Sequence, residues 1–135
     1  MAEFLSSLNW ITVLAASLVY FFLGALWYSP LLFAKPWMKL KNMPEDHEGG
    51  SPDMYIFTYL LQLIAVISLA LFLVAMGIDT AAHGALIGFG AGAGFVFTLS
   101  GTTGIFSKTP LKLHLIENGY HVAGLTIAGM IIGWA

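Results

Sequence analysis

Phe33-Ala-Lys-Pro-Trp-Met-Lys-Leu-Lys41 and Phe106-Ser-Lys-Thr-Pro-Leu-Lys112 hold every basic side chain of this 135-residue chain. The basic residues are Lys35, Lys39 and Lys41 in the first stretch and Lys108 and Lys112 in the second. Long apolar runs flank both. Loops on the cytoplasmic side of a membrane collect Lys and Arg, so this clustering specifies the number of crossings and their direction. Four crossings put the first and third loops on one side, with all five lysines. The N-terminal tail, the second loop and the C-terminus hold none. The expected architecture is all-α: a polytopic four-transmembrane-helix bundle, N-out and C-out.

Composition supports this reading. The chain is 59% hydrophobic and 9% charged, with mean hydropathy +0.86. Soluble domains carry about 25% charged residues, so lipid is the expected solvent for most side chains. The length suits one domain. A net charge of −2 and the absence of a basic patch exclude nucleic acid as an expected partner. No cysteine is present, which excludes disulfides and thiol chemistry. The first residues carry no basic region, so the first apolar segment is expected to be a retained helix.

A crossing helix needs about 20 apolar residues. The expected spans are about 8–29, 54–76, 81–104 and 110–134, with cytoplasmic loops at about 30–53 and 105–109 in a single membrane domain, 1–135. Ser6 or Ser7 is expected to cap the first span and Pro30 to end it. Leu31–Met43, where aromatic residues alternate with lysines, suits a segment lying in the headgroup plane. Gly77 should end the second span, with Asp79 or Thr80 capping the third. Thr109 and Pro110 read as N-cap and first residue of the fourth. The repeated spacing Phe-x-Lys-x-x-x-Lys-Leu, at Phe33 and again at Phe106, raises the possibility of two related hairpins. The other reading is ordinary boundary composition.

Gly84, Gly88 and Gly92 recur every four residues in the third span, and Gly90 with Gly94 forms a second such pair. Small residues at this spacing let a neighbouring backbone approach closely. Gly119 with Ala123, and Gly129 with Gly133, are matching positions in the fourth span. The pattern covers more than one face, so both packing within the chain and a homo-oligomer contact are expected. Thr98, Ser100, Thr102 and Thr103 could support an unwound, cation-coordinating helix end, or could bond to their own helix carbonyls.

The fourth span opens with His114-x-x-Glu117-Asn118-x-x-His121. These offsets place the residues on one helix face. Ionisable groups at membrane depth are costly and usually face protein or water. Three readings compete: a hydrogen-bond network joining Glu117 to His121 and His114, a proton or solute pathway, and a metal site built on His114, Glu117 and His121, with His47 as a further ligand. No cofactor is specified. No hydrolase or phosphate-loop motif appears, so an enzyme is not expected.

Ala25-Leu-Trp-Tyr-Ser-Pro-Leu-Leu-Phe-Ala-Lys-Pro-Trp37 resembles the signature of a bacterial membrane family, domain of unknown function seventeen sixty-one. Asn9, Glu48-Gly49-Gly50, Pro110-Leu111-Lys112 and Gly119-Tyr120 extend the resemblance over nearly the whole chain. It implies a small multi-span protein of the bacterial inner membrane and implies no activity. The ionisable residues at 114, 117 and 121 depart from the family pattern. Trp27, Tyr28, Ser29, Pro30, Gly119 and Tyr120 are expected to meet near the lysine-bearing side, with Tyr28 and Tyr120 joining the polar site. The leading functional expectation is binding or movement of a small solute, ion or proton there. The alternative is a non-catalytic interaction protein that packs through its glycine-rich third helix.

Overall fold

The computed structural model describes residues 1–44 and 49–135, all-helical apart from turns and connections. A short helix α1 (Ala2–Ser7) precedes the first span, α2 (Trp10–Trp27). Helix α3 (Ala34–Leu40) lies in the first loop, and α4 (Pro52–Ala75) is the second span. The third span consists of α5 (Ala81–Ala91), a π-helical turn (Gly92–Val96) and α6 (Phe97–Phe106). The fourth is α7 (Leu111–Trp134). Among the described residues, four helices are thus long and apolar enough to cross a membrane. Glu45, Asp46, His47 and Glu48 lie outside the described residues.

Helix boundaries follow local chemistry and differ in places from the sequence reading. Asn9, not Ser6 or Ser7, caps α2 by accepting from the Thr12 N–H. Ser6 and Ser7 sit in α1 and donate to the carbonyls of Glu3 and Phe4. Thr80 caps α5 by accepting from the His83 N–H. Pro110 is the N-cap of α7 rather than its first residue; its extended backbone offers a carbonyl to the His114 N–H. A proline there sacrifices no helical donor. Pro36 likewise falls in the first turn of α3 and is compatible with it. The two lysine motifs adopt different structures. Lys35 and Lys39 both lie on α3, whereas Lys108 is a left-handed loop residue (φ 55°) and Lys112 is helical. The shared spacing therefore does not correspond to a shared local conformation.

Gly77 ends the second span at φ +68°. Its N–H donates to Val74, and the Ile78 N–H reaches back to Leu73, closing a Schellman turn. Gly77→Ala keeps space around the Cβ but forces an L residue left-handed. The expected cost is about 1 kcal/mol, read as a lower unfolding midpoint in detergent.

The third and fourth spans form the tightest contact. A Cβ at Gly84 would collide with the Gly129 carbonyl, and one at Gly129 with the Gly84 carbonyl. Gly88 faces the Leu125 carbonyl, Gly133 the Thr80 carbonyl, and a Cβ at Gly92 would lie 2.7 Å from the Val122 Cα. Backbone thus packs on backbone, the result small residues permit in lipid. Gly119, assigned with Ala123 to the same seam from its spacing, instead faces the Trp27 ring, 3.3 Å from a built Cβ.

The π turn resets the seam. Down to Gly92 the α7-facing positions step by four; beyond it they step to Phe97 and then Gly101, both against His114. One extra residue per turn accounts for the five-residue step. Gly90, half a turn from Gly88 and Gly92, and Gly94 face open space among the described residues.

The first and fourth spans use aromatic rings against glycine. A Cβ at Gly124 would sit 2.6 Å from the Tyr20 ring, and one at Gly24 2.8 Å from the Tyr120 hydroxyl. The second span closes the bundle with Gln62, Val66, Leu69, Ala70 and Leu73 buried. Most of its other large side chains are exposed in the monomer, where lipid would cover them.

Candidate functional site

Depth divides the interior by polarity. Away from the lysine-bearing loops the centre is filled by Val13, Ala16, Val66, Leu69, Ala70, Leu73, Leu125 and Ala128. Toward those loops it contains Ser17, Tyr20, Tyr59, Gln62, His114, Asn118, Tyr120 and His121. A hydroxyl or amide in hydrocarbon needs a partner, so these groups bond across helices. Ser17 Oγ and Tyr59 Oη share a 2.8 Å bond. Tyr120 Oη donates to the Tyr20 carbonyl at 2.6 Å and accepts from Gln62 Nε2 at 2.9 Å. The Tyr20 hydroxyl bonds His121 Nδ1. Gln62 is 7% exposed, and its Oε1 has no partner among the described residues.

The four residues of the polar stripe on α7 do not form one network. His114 Nδ1 pairs with the Asn118 amide at 2.9 Å, and both are buried. His121 turns to Tyr20. Glu117 accepts from Trp37 Nε1 on α3 at 3.3 Å. The expected bonds from Glu117 to His114 and His121 are not found among the described residues. The reason is geometric: at about 100° per residue, steps of three and four fan the side chains apart, so α2 captures His121, α3 captures Glu117, and His114 stays with Asn118 of its own helix. Among the described residues no three His, Asp or Glu side chains converge in a metal-binding group. His47 lies outside them.

Above Glu117 the ends of α2 and α3 gather aromatic rings. Tyr28, at the C-terminus of α2, meets Trp37 edge-on with centroids 5.3 Å apart, and Tyr120 at 5.8 Å. Trp27 lies 4.8 Å from Phe33 and donates its indole N–H to the Ile116 carbonyl at 2.8 Å. The Lys41 ammonium sits 5.0 Å above the Trp37 ring. Glu117, Tyr28 and Trp37 are all half-buried. The structure therefore brings together Trp27, Tyr28, Gly119 and Tyr120, and adds Glu117 with Trp37. It separates Gly84, Gly88, Gly92, Gly129 and Gly133, which are consumed by packing, from Gly90 and Gly94, which are open.

The third span is not unwound where its hydroxyls cluster. Thr98, Thr102 and Thr103 donate to carbonyls four residues back, in a helix continuous to Phe106.

Sequence reasoning overlooked Gln62, Tyr20 and Trp37. Gln62 had a usable signal: it is the sole amide side chain between Met54 and Met76, and a polar group in such a run usually faces protein. Trp37 had none, because its pairing with Glu117 depends on how α3 folds back.

These features define a four-span, all-helical membrane protein with a polar, aromatic-topped interior at one end. The chain matches the family described as "Protein of unknown function (DUF1761)" over residues 11–133 and belongs to it. No curated protein and no solved structure matches it.

Proposed function

We propose that this is a non-catalytic binding protein of the bacterial inner membrane that takes up a small cationic species (a proton, an ion or a solute) at Glu117. Its lysine-bearing loops face the cytoplasm, so the ligand arrives from that side. One observation carries the reading. Glu117 lies on a membrane-spanning helix, yet its one hydrogen-bond donor among the described residues is an uncharged indole, with no cationic side chain in ion-pair reach. A carboxylate within a bilayer costs up to about 3 kcal/mol at the centre and less toward the interface, and calls for a countercharge. The apolar far half of the bundle argues for binding rather than conduction by a single copy.

Trp37 reports the site because its indole bonds the carboxylate. Its fluorescence, taken as the difference from Trp37→Phe, is expected to change with pH or added cation in wild type and to stay flat in Glu117→Gln. A flat wild-type response to both would refute the proposal.

A second reading rests on the open face at Gly90 and Gly94, where a built Cβ meets nothing within 4 Å. Self-association there accounts for glycines that no contact among the described residues uses. Gly90→Leu with Gly94→Leu is expected to lower the assembly state in mild detergent without loss of fold. An unchanged mass would remove the oligomer.

A further inference from the structure

We propose that the cationic species held at Glu117 is an organic ammonium, recognised by the rings of Trp37 and Tyr28 as well as by the carboxylate. The proposal rests on the reading of Glu117 as the binding carboxylate and specifies the chemistry of its ligand.

The groups around Glu117 are unsuited to a metal ion. A hard cation requires several oxygen ligands in place of its water shell. Here one carboxylate stands beside an indole edge and a phenol ring, each half-buried. Aromatic faces attract ammonium groups through the ring quadrupole, and a ring set with a carboxylate favours a weakly hydrated, alkylated cation. Trp37 performs both tasks: its N–H orients the carboxylate while its face attracts positive charge. A lysine of the chain already lies over that face. The Lys41 ammonium rests 5.0 Å from the Trp37 centroid, yet it forms no ion pair with Glu117 within 4.0 Å. Lys41 is exposed, on a flexible stem, and acts as a tethered competitor that an incoming ammonium displaces.

The ammonium has two sources, a soluble amine or the headgroup of a choline lipid, and both present the same chemistry. The test uses radiolabelled tetramethylammonium and the full chain in nanodiscs of either phosphatidylglycerol or phosphatidylcholine. In phosphatidylglycerol discs, binding is expected to be saturable and to weaken at least tenfold in Glu117→Gln and in Trp37→Leu. Lys41→Met is expected to tighten it severalfold, a gain that misfolding cannot produce. Equal affinity in both discs identifies a soluble amine; loss of binding in phosphatidylcholine identifies the headgroup. If tetramethylammonium binds no better than sodium, or if Glu117→Gln binds it undiminished, the organic-ammonium assignment is overturned. A Trp37 response to pH or cation that survives this result would leave Glu117 as the binding carboxylate for a different cation.

Discussion

Gly84→Leu is expected to abolish the native bundle. The third and fourth spans touch through main chain at Gly84, Gly88, Gly129 and Gly133, and each built Cβ overlaps a backbone atom that no rotamer can move. Leucine would force the two helices apart over several turns. In lipid, helix association depends on close packing because the solvent is as apolar as the side chains. Overpacking in soluble cores costs about 1–3 kcal/mol where side chains can yield, and here none is available to yield. The loss is therefore expected to exceed about 3 kcal/mol, with aggregation on extraction. Unfolding in mixed micelles would measure it. Gly90→Ala is the matched control: its Cβ enters open space, and alanine should add up to about 1 kcal/mol through helix propensity. Equal behaviour of the two variants would show that the seam is not as described.

Tyr120→Phe is expected to destabilise the protein by about 1–3 kcal/mol, because it leaves the buried Gln62 amide without this partner. The Tyr120 hydroxyl serves the Gln62 amide and the Tyr20 carbonyl. Gln62 already has an orphan Oε1; without Tyr120 its Nε2 loses the partner shown here too. Adding Gln62→Leu removes the stranded amide, so the double variant should recover much of the loss. Replacing both partners of a hydrogen bond can be nearly neutral where removing one is not. A double-mutant cycle in detergent measures the coupling. Additive losses would mean that the two side chains do not interact.

The span count and its side-to-side charge asymmetry were legible because both depend on local composition: apolar runs and lysine placement. The glycine seam was legible in part. Spacing of four identified Gly84, Gly88 and Gly92, but the same rule drew in Gly90, Gly94 and Gly119, which face elsewhere. Spacing cannot reveal a π turn. The extra residue at Gly92–Val96 depends on how the third span accommodates the fourth, and it carries Phe97 and Gly101 onto His114. The polar site was legible as a list and not as a set of pairs. Offsets along α7 put Glu117, His114 and His121 near each other, but Trp37, Asn118 and Tyr20 hold them. Two of those partners come from helices whose rotation about their own axes no single-helix pattern encodes. The tyrosine–glycine pairs, Tyr20 on Gly124 and Tyr120 on Gly24, were hidden for the same reason.

The uneven interior also has an electrical consequence. Valine, leucine and alanine fill the half of the bundle away from the lysines, and this low-dielectric plug is where most of a transmembrane voltage falls. A full elementary charge carried through the whole field gains or loses about 2.3 kcal/mol per 100 mV. A cation seated on Glu117 has entered only the shallow end of that gradient, so its occupancy should follow concentration in the adjoining compartment far more closely than membrane potential.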